Sequence, residues 1–293
     1  MKIDLHIHSN TSDGRMPLES IFEEAHRREI RLISITDHDA VDAQESAKQL
    51  AHRHGMAYIY GLELNITFSH PGFRKGKGVS LDLLAYGFDI HNRPLVKKLR
   101  DLKAYREKRA ELILEKINAE LLEEKRGPLT HRDLEAIQGA VDGTFGRPHI
   151  AAHMVEKGLV VDTQEAFDRY LVKCNVPKMP VSLPEASELI RKAGGKLLLA
   201  HPNHPRGTSL IALTPSLKEQ QEIIEQTMLP LIDGVECWHS AHDAETTASY
   251  IDFAKKRGLM VSGGSDCHQN PVLMGTVNVP PWVAKQFGFD LEP

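Results

Sequence analysis

The stretch Lys2-Ile3-Asp4-Leu5-His6-Ile7-His8, running on into Ser9 and Asn10, decides how the rest of the chain is read. Apolar and polar residues alternate with the period of a strand, so Ile3, Leu5 and Ile7 share one face and Asp4, His6 and His8 the other. One face packs; the other carries chemistry. The two imidazoles stand about 7 Å apart at Cα level near the strand's end, a spacing from which both reach a single metal ion.

The same arrangement returns further along. RLISITDHD closes an apolar run with Asp37, His38 and Asp39, GLELNITF sets Glu63 between Leu62 and Leu64, and VSLDLLAY sets Asp82 between Leu81 and Leu83. KLLLAHP ends in His201, and LMVSGGSDCH ends in Asp266 and His268, with Cys267 facing the opposite way. Asp13 lies in the polar turn Ser12-Asp13-Gly14. Ionisable groups that close apolar runs are costly to bury unless paired or metal-bound. His6, His8, Asp13, His38, Glu63, Asp82, His201, Asp266 and His268 are all read as lying at or near the end of an apolar run. They offer nitrogen and oxygen but no thiolate, which suits two or three divalent ions with open positions. Hydrolysis is the expected chemistry.

Between these runs lie amphipathic stretches such as LESIFEEAHRREI, which places Leu18, Ile21, Phe22 and Ala25 on one face. Strand and helix in alternation predict an α/β chain around a mostly parallel sheet, with HPGFRKGKG as an exposed hairpin. From residue 90 to 180 the texture changes to a long charged helix, with Lys97 to Arg109 on a solvated basic face, followed by shorter helices. Residues 90–180 are therefore expected to form an inserted helical subdomain, and 1–89 with 181–293 the metal-dependent barrel. Thr130 and Asp133 have the spacing of a helix N-terminus.

The 293 residues exceed one average domain of about 150 but fit one α/β barrel of about 250 plus an insertion. Fractions of 41% hydrophobic and 26% charged residues exclude wholesale disorder, collagen and coiled coil. A formal charge of -4 provides no basic field for duplex DNA. Cys174, Cys237 and Cys267 form no CxxC pair, which argues against a disulfide scaffold and for a cytoplasmic setting. No run of about 18 apolar residues marks a membrane span.

The ordered motifs DLHIHSNTSDG, ITDHD, GLELN, LAHP and GGSDCH resemble those of the PHP (polymerase and histidinol phosphatase) phosphoesterases. GRPHIAAHMVEKG, YLVKCNVPK and WHSAHDAETTASY are similar to the branch that hydrolyses nucleoside phosphates. The resemblance implies a distorted (β/α)7 TIM-like barrel with the helical insertion and two or three divalent metal ions: manganese, iron or zinc. One ion would take His6, His8, Glu63 and Asp266, with Glu63 bridging to a second on Asp82 and His201; a third would take Asp13, His38 and His268. His38, Glu63 and Asp266 are the implied catalytic members. Arg147 is the expected phosphate clamp, with His149, Lys173 and His242 as further substrate contacts, His204 and Arg206 near the pocket mouth, and His239 turned away. Relatives carry a histidine where Asp82 stands; the harder carboxylate favours manganese or iron over zinc.

The expected activity is hydrolysis of a nucleotide phosphomonoester, 5′-AMP or a 3′,5′-bisphosphate, by a metal-bridging hydroxide. The rival enzymatic expectation is 5′ to 3′ exonuclease action on short 5′-phosphorylated oligonucleotides. From another class comes a non-catalytic metal-binding regulatory barrel.

Overall fold

A computed structural model describes residues 1–139, 147–205, 207–269 and 271–291, so Arg206 lies outside the described residues. The chain divides into two compact units, residues 1–97 with 180–293, and residues 98–179.

The first unit is built on eight described strands: β1 (Lys2–Ile7), β2 (Ile30–Ile35), β3 (Ala57–Tyr58), β4 (Gly61–Phe68), β5 (Val79–Tyr86), β6 (Lys196–Leu199), β7 (Gly234–His239) and β8 (Met260–Gly264). They form two sheets, in the orders β1-β2-β3 and β4-β5-β6-β7-β8. Isolated parallel bridges, Ile7 with Cys267 and His38 with Glu63, join the sheets at strand ends. The mostly parallel expectation holds for β1 to β3 and for β6 to β8. It fails around β5, which runs antiparallel to both β4 and β6. For the β4–β5 pair the reason is chain length: residues 69–78, which include HPGFRKGKG, suffice for a hairpin but not for the dozen or more residues of a parallel crossover.

Helix Leu18–Arg27 buries Ile21, Phe22 and Ala25, the face expected from their spacing. They pack with Ile7, Ile33, Ile35, Ala47 and Met274 in a cluster that also takes up Cys267. Each fully buried aliphatic side chain contributes about 1.5–3 kcal/mol. β8 passes so close to β1 that a Cβ on Gly264 would lie 2.4 Å from the His6 Cβ. Glycine there is what allows the two strand ends to share one site.

The second unit comprises most of helix Arg93–Glu123, then His131–Gly139, Arg147–Glu156 and Thr163–Ala166, the last running into a widened turn at Phe167–Leu171. Ile113, Ile117, Leu121, Leu134, Ile150, Met154 and Tyr170 form its core. Arg109 departs from the solvated basic face expected of the long helix. It is buried and donates from Nε to the Val176 carbonyl (2.6 Å) and from Nη2 to Asn175 Oδ1 (2.9 Å). The aliphatic stem packs while the head is satisfied by oxygen acceptors. Among the described residues, no helix is long and apolar enough to cross a membrane.

Asp133 ties this unit together. Its Oδ2 accepts from Thr130 N and Oγ1 (both 2.7 Å), and its Oδ1 from His153 Nε2 (3.0 Å) and Lys157 Nζ (2.6 Å). Burial raises the proton affinity of the carboxyl, but Lys157, Thr130 and His153 outweigh it and hold the pKa well below the usual range. His153 is thereby accounted for as a packing residue. Asp133→Asn should lower stability by about 1–3 kcal/mol in urea unfolding at pH 7. Because the folded pKa is depressed, this contribution is complete above about pH 4 and fades as the pH falls, so the gap to wild type should narrow in acid. Equal urea midpoints at pH 7 would contradict this role.

Candidate metal centre

The strand ends of the first unit place their ionisable residues around one buried carboxylate, Glu63 on β4. His6 Nε2 lies 3.3 Å and His8 Nε2 3.1 Å from Glu63 Oε2. His38 Nδ1 is 3.2 Å from the same oxygen, and His201 Nε2 is 3.1 Å from Oε1. Asp266, just past β8, brings Oδ1 to 3.4 Å from His6 Nε2 and 3.2 Å from His8 Nε2. Asp13 Oδ1 lies 3.1 Å from His268 Nε2 and 3.5 Å from His8 Nδ1, and its Oδ2 is 3.6 Å from His38 Nε2. Asp82 Oδ2 is 3.9 Å from His201 Nε2.

Two buried carboxylates fix the frame. Asp4 accepts from Ser265 N (2.9 Å), Ser265 Oγ (2.7 Å) and Gly275 N (2.8 Å), tying β1 to the segment after β8. Asp37 accepts from Ser9 N (2.8 Å), Ser9 Oγ (2.7 Å) and Ser12 Oγ (2.6 Å), tying the end of β2 to the loop that carries Asp13. Asp266 (φ 52°) and His201 (φ 24°) sit in the left-handed region, a strained conformation that the surrounding contacts must hold.

The donor set fits divalent cations. His6 Nε2 and His8 Nε2 are buried and make no hydrogen bond, yet both abut the oxygens of Glu63 and Asp266. Nitrogen–oxygen separations of 3.1 to 3.4 Å match the distances between neighbouring ligands around an ion with bonds of about 2.0–2.2 Å. Among the described residues, four groups bring ligand atoms within 4.8 Å of one another: His8, Asp13, His38 and His268; His6, His239 and Asp266; His6, His8 and Glu63; and His38, Glu63 and Asp82. His201 joins through its contact with Glu63.

Protons stabilise this cluster when no cation is bound. Burial disfavours the charged imidazoles, but Glu236, Glu63 and Asp266 raise the His6 pKa well above its ordinary value. Burial likewise opposes protonation of His201, but Glu63 pushes it up to about 9. Glu63, although buried, is held well below the carboxylate range by His38 and His6. Burial and the nearby Glu63 push Asp82 up to about 6. A bound metal would displace these protons.

All nine residues thus meet at one place, with His8 touching both the Glu63 and the Asp13 groups, although Glu63 and Asp82 lie within β4 and β5 rather than at their ends and Asp13 lies in the loop after β1. His239 corrects an expectation: its Nε2 lies 3.3 Å from Asp266 Oδ2. The pairing of β7 with β8 shifts between Glu236 and Trp238, a bulge that turns Glu236 and His239 inward together although they are three residues apart. Glu236 was not singled out, yet it is buried, 3.0 Å from His6 Nδ1, and accepts from the His201 backbone N–H (2.8 Å). The available signal was an acid inside the apolar run GVECWH. Asn65 was also missed; it faces Asp82 across the β4–β5 pair and donates from Nδ2 to Oδ1 (2.6 Å).

The expected substrate contacts divide between the units. Arg147, His149 and Lys173 belong to the helical unit. There Arg147 donates to the Leu171 carbonyl (3.3 Å) with its guanidinium 5.6 Å from the Phe167 ring centre, and exposed Lys173 pairs with Glu120. His242 belongs to the first unit and donates from Nδ1 to the Cys237 carbonyl (3.0 Å), while burial pushes its pKa down to about 4. It is a neutral group. The His204 ring centre lies 5.6 Å from that of His201 and 5.4 Å from that of His239, beside the cluster.

Comparison with known proteins places the chain in a family. The PHP domain family profile matches residues 4–175. A 3′,5′-nucleoside bisphosphate phosphatase of Chromobacterium violaceum is 26% identical over 279 residues, covering 91% of this chain and 87% of the relative. A 5′-3′ exoribonuclease of Haemophilus influenzae is 28% identical over 271 residues, covering 91% of this chain and 90% of the relative. A crystal structure from Bifidobacterium adolescentis, provisionally named a metal-dependent phosphoesterase, superposes with a TM-score of 0.76 at 24% identity, covering 99% of this chain and 97% of that one.

Glu236 orients His6 through Nδ1 and so fixes which nitrogen faces Glu63. Glu236→Gln should weaken manganese binding by about 10–100-fold in calorimetric titration, the usual effect of losing a partner of a metal-ligating histidine. Wild-type affinity in that variant would exclude the orienting role.

Proposed function

The chain belongs to the PHP domain family, and on that premise we propose that it is a metal-dependent phosphoesterase that releases phosphate from a nucleotide, 5′-AMP or a 3′,5′-bisphosphate. The observation that carries this reading is the convergence of two buried nitrogens, His6 Nε2 and His8 Nε2, on the carboxylates of Glu63 and Asp266. The two interstrand bridges support a distorted (β/α)7 TIM-like barrel as the frame. His6, His8, Glu63 and Asp266 would hold one ion, Glu63, His201 and Asp82 a second, and Asp13, His38 and His268 a third. Manganese suits the carboxylate at position 82. Bound divalent ions supply positive charge to the phosphoryl oxygens and lower the pKa of coordinated water.

The chain's own groups do the rest. Ala241 N–H donates to His239 Nδ1 (3.0 Å), so the neutral ring keeps its proton on Nε2 and donates it to Asp266 Oδ2. His239 therefore orients Asp266 and keeps a proton at the cluster's edge, where a leaving alkoxide needs one. Arg147 offers a planar fork for a phosphate, with His149 and Lys173 as further contacts in the same unit. His242, being neutral, serves the uncharged part of the substrate. The three cysteines are free and buried, in keeping with a cytoplasmic setting.

The relative named as a 5′-3′ exoribonuclease supports a second reading in which the same centre cleaves short 5′-phosphorylated oligonucleotides. With manganese, 5′-AMP or a 3′,5′-bisphosphate should release inorganic phosphate, and His8→Ala should slow turnover by more than about 100-fold while the fold persists. Activity that rises with oligonucleotide length would favour the exonuclease. Unchanged turnover after chelation would overturn the metal-dependent reading, and no turnover on any of these esters would favour a regulatory barrel.

A further inference from the structure

A groove of about 660 Å³ opens beside the cluster, within the roughly 300–1,000 Å³ typical of small-molecule sites. His239 is shared: it lines the groove and contacts Asp266 in the cluster. The walls are the end of β7, one face of helix Ala244–Arg257 and the segment around Leu273 to Asn278. Trp238, Ile251 and Val277 supply aromatic and aliphatic surface; Thr247 and Asn278 supply hydrogen-bonding groups. Among the described residues no lysine or arginine lines it, and Asp243 does, so the groove as described does not suit a second phosphate.

We propose that this groove is the subsite for the neutral nucleoside portion of the substrate, with the flat base against Trp238 and sugar or base polar atoms meeting Thr247 and Asn278. The inference rests on the phosphoesterase reading for the position of the scissile phosphate. A leaving group attached to a phosphate at the cluster must extend away from it, and the groove begins at His239. An aromatic wall is sequence-tolerant toward bases because every base presents a π-face. Any second phosphate must then lie elsewhere, outside the groove.

The protein carries its own probe. Its two tryptophans, Trp238 and Trp282, pack edge-on with ring centres 5.9 Å apart, so emission reports occupancy of the groove. Adenosine and uridine, which lack phosphate, should quench that emission saturably. Ala248→Phe places a ring in the groove from an exposed helix position, and Ala244→Phe, also exposed, does so one turn earlier. Each should weaken nucleoside quenching at least 10-fold and raise KM for nucleotides at least 10-fold, while hydrolysis of methyl phosphate stays within 2-fold of wild type. Circular dichroism shows whether each variant is folded, and either folded variant suffices. No saturable quenching in wild type, or quenching unchanged in a folded plugged variant, would overturn the subsite. Quenching that is lost on plugging, in a protein that hydrolyses no phosphoester, would keep the subsite and sink the phosphoesterase reading. Hydrolysis without quenching would do the reverse.

Discussion

A single buried carboxylate sets the terms for the first unit. Glu63 is almost fully enclosed and faces four imidazoles, from His6, His8, His38 and His201. An isolated ionised carboxylate in such surroundings would carry a desolvation penalty of several kcal/mol. Protonated histidines offset it in the absence of cations, and divalent ions can take the protons' place. The same crowding explains why strands from both sheets must meet here, why β8 needs Gly264 against His6, and why Asp4 and Asp37 each accept several hydrogen bonds that hold the loops in place.

Around this centre lies a ring of supporting residues. Glu236 fixes His6, His239 fixes Asp266, and Asn65 fixes Asp82. Such partners select the ring nitrogen or carboxylate oxygen that points inward, which is what makes a cluster of donors a defined set of ligands. The Asp82–Asn65 pair is particular in this respect. With Oδ1 occupied by an amide N–H, Oδ2 is left toward His201, so one oxygen of Asp82 is committed to the frame and the other to the centre.

Much of this was legible in the sequence, for a definite reason. Strand alternation separates packing from chemical residues, and His6, His8, Glu63 and Asp82 declare themselves as polar positions inside apolar runs. Glu236 carried the same mark. What alternation does not carry is pairing. The antiparallel placement of β5, and with it the meeting of Asn65 and Asp82, depends on which strands become neighbours. His239 was hidden because a bulge in the β7–β8 pairing, invisible to strand alternation, turns it toward Asp266. Arg109 was hidden because its burial comes from the segment near Val176, remote in sequence.

The central claim is that the strand-end carboxylates and imidazoles form a metal centre organised by Glu63. Anomalous diffraction from manganese-soaked crystals, recorded on either side of the manganese edge, tests it most directly. The account predicts at least two peaks sharing Glu63, one of them about 2.0–2.3 Å from His6 Nε2 and His8 Nε2. A map with no anomalous peak near Glu63, in a protein whose His6 and His8 remain packed against it, would contradict the account.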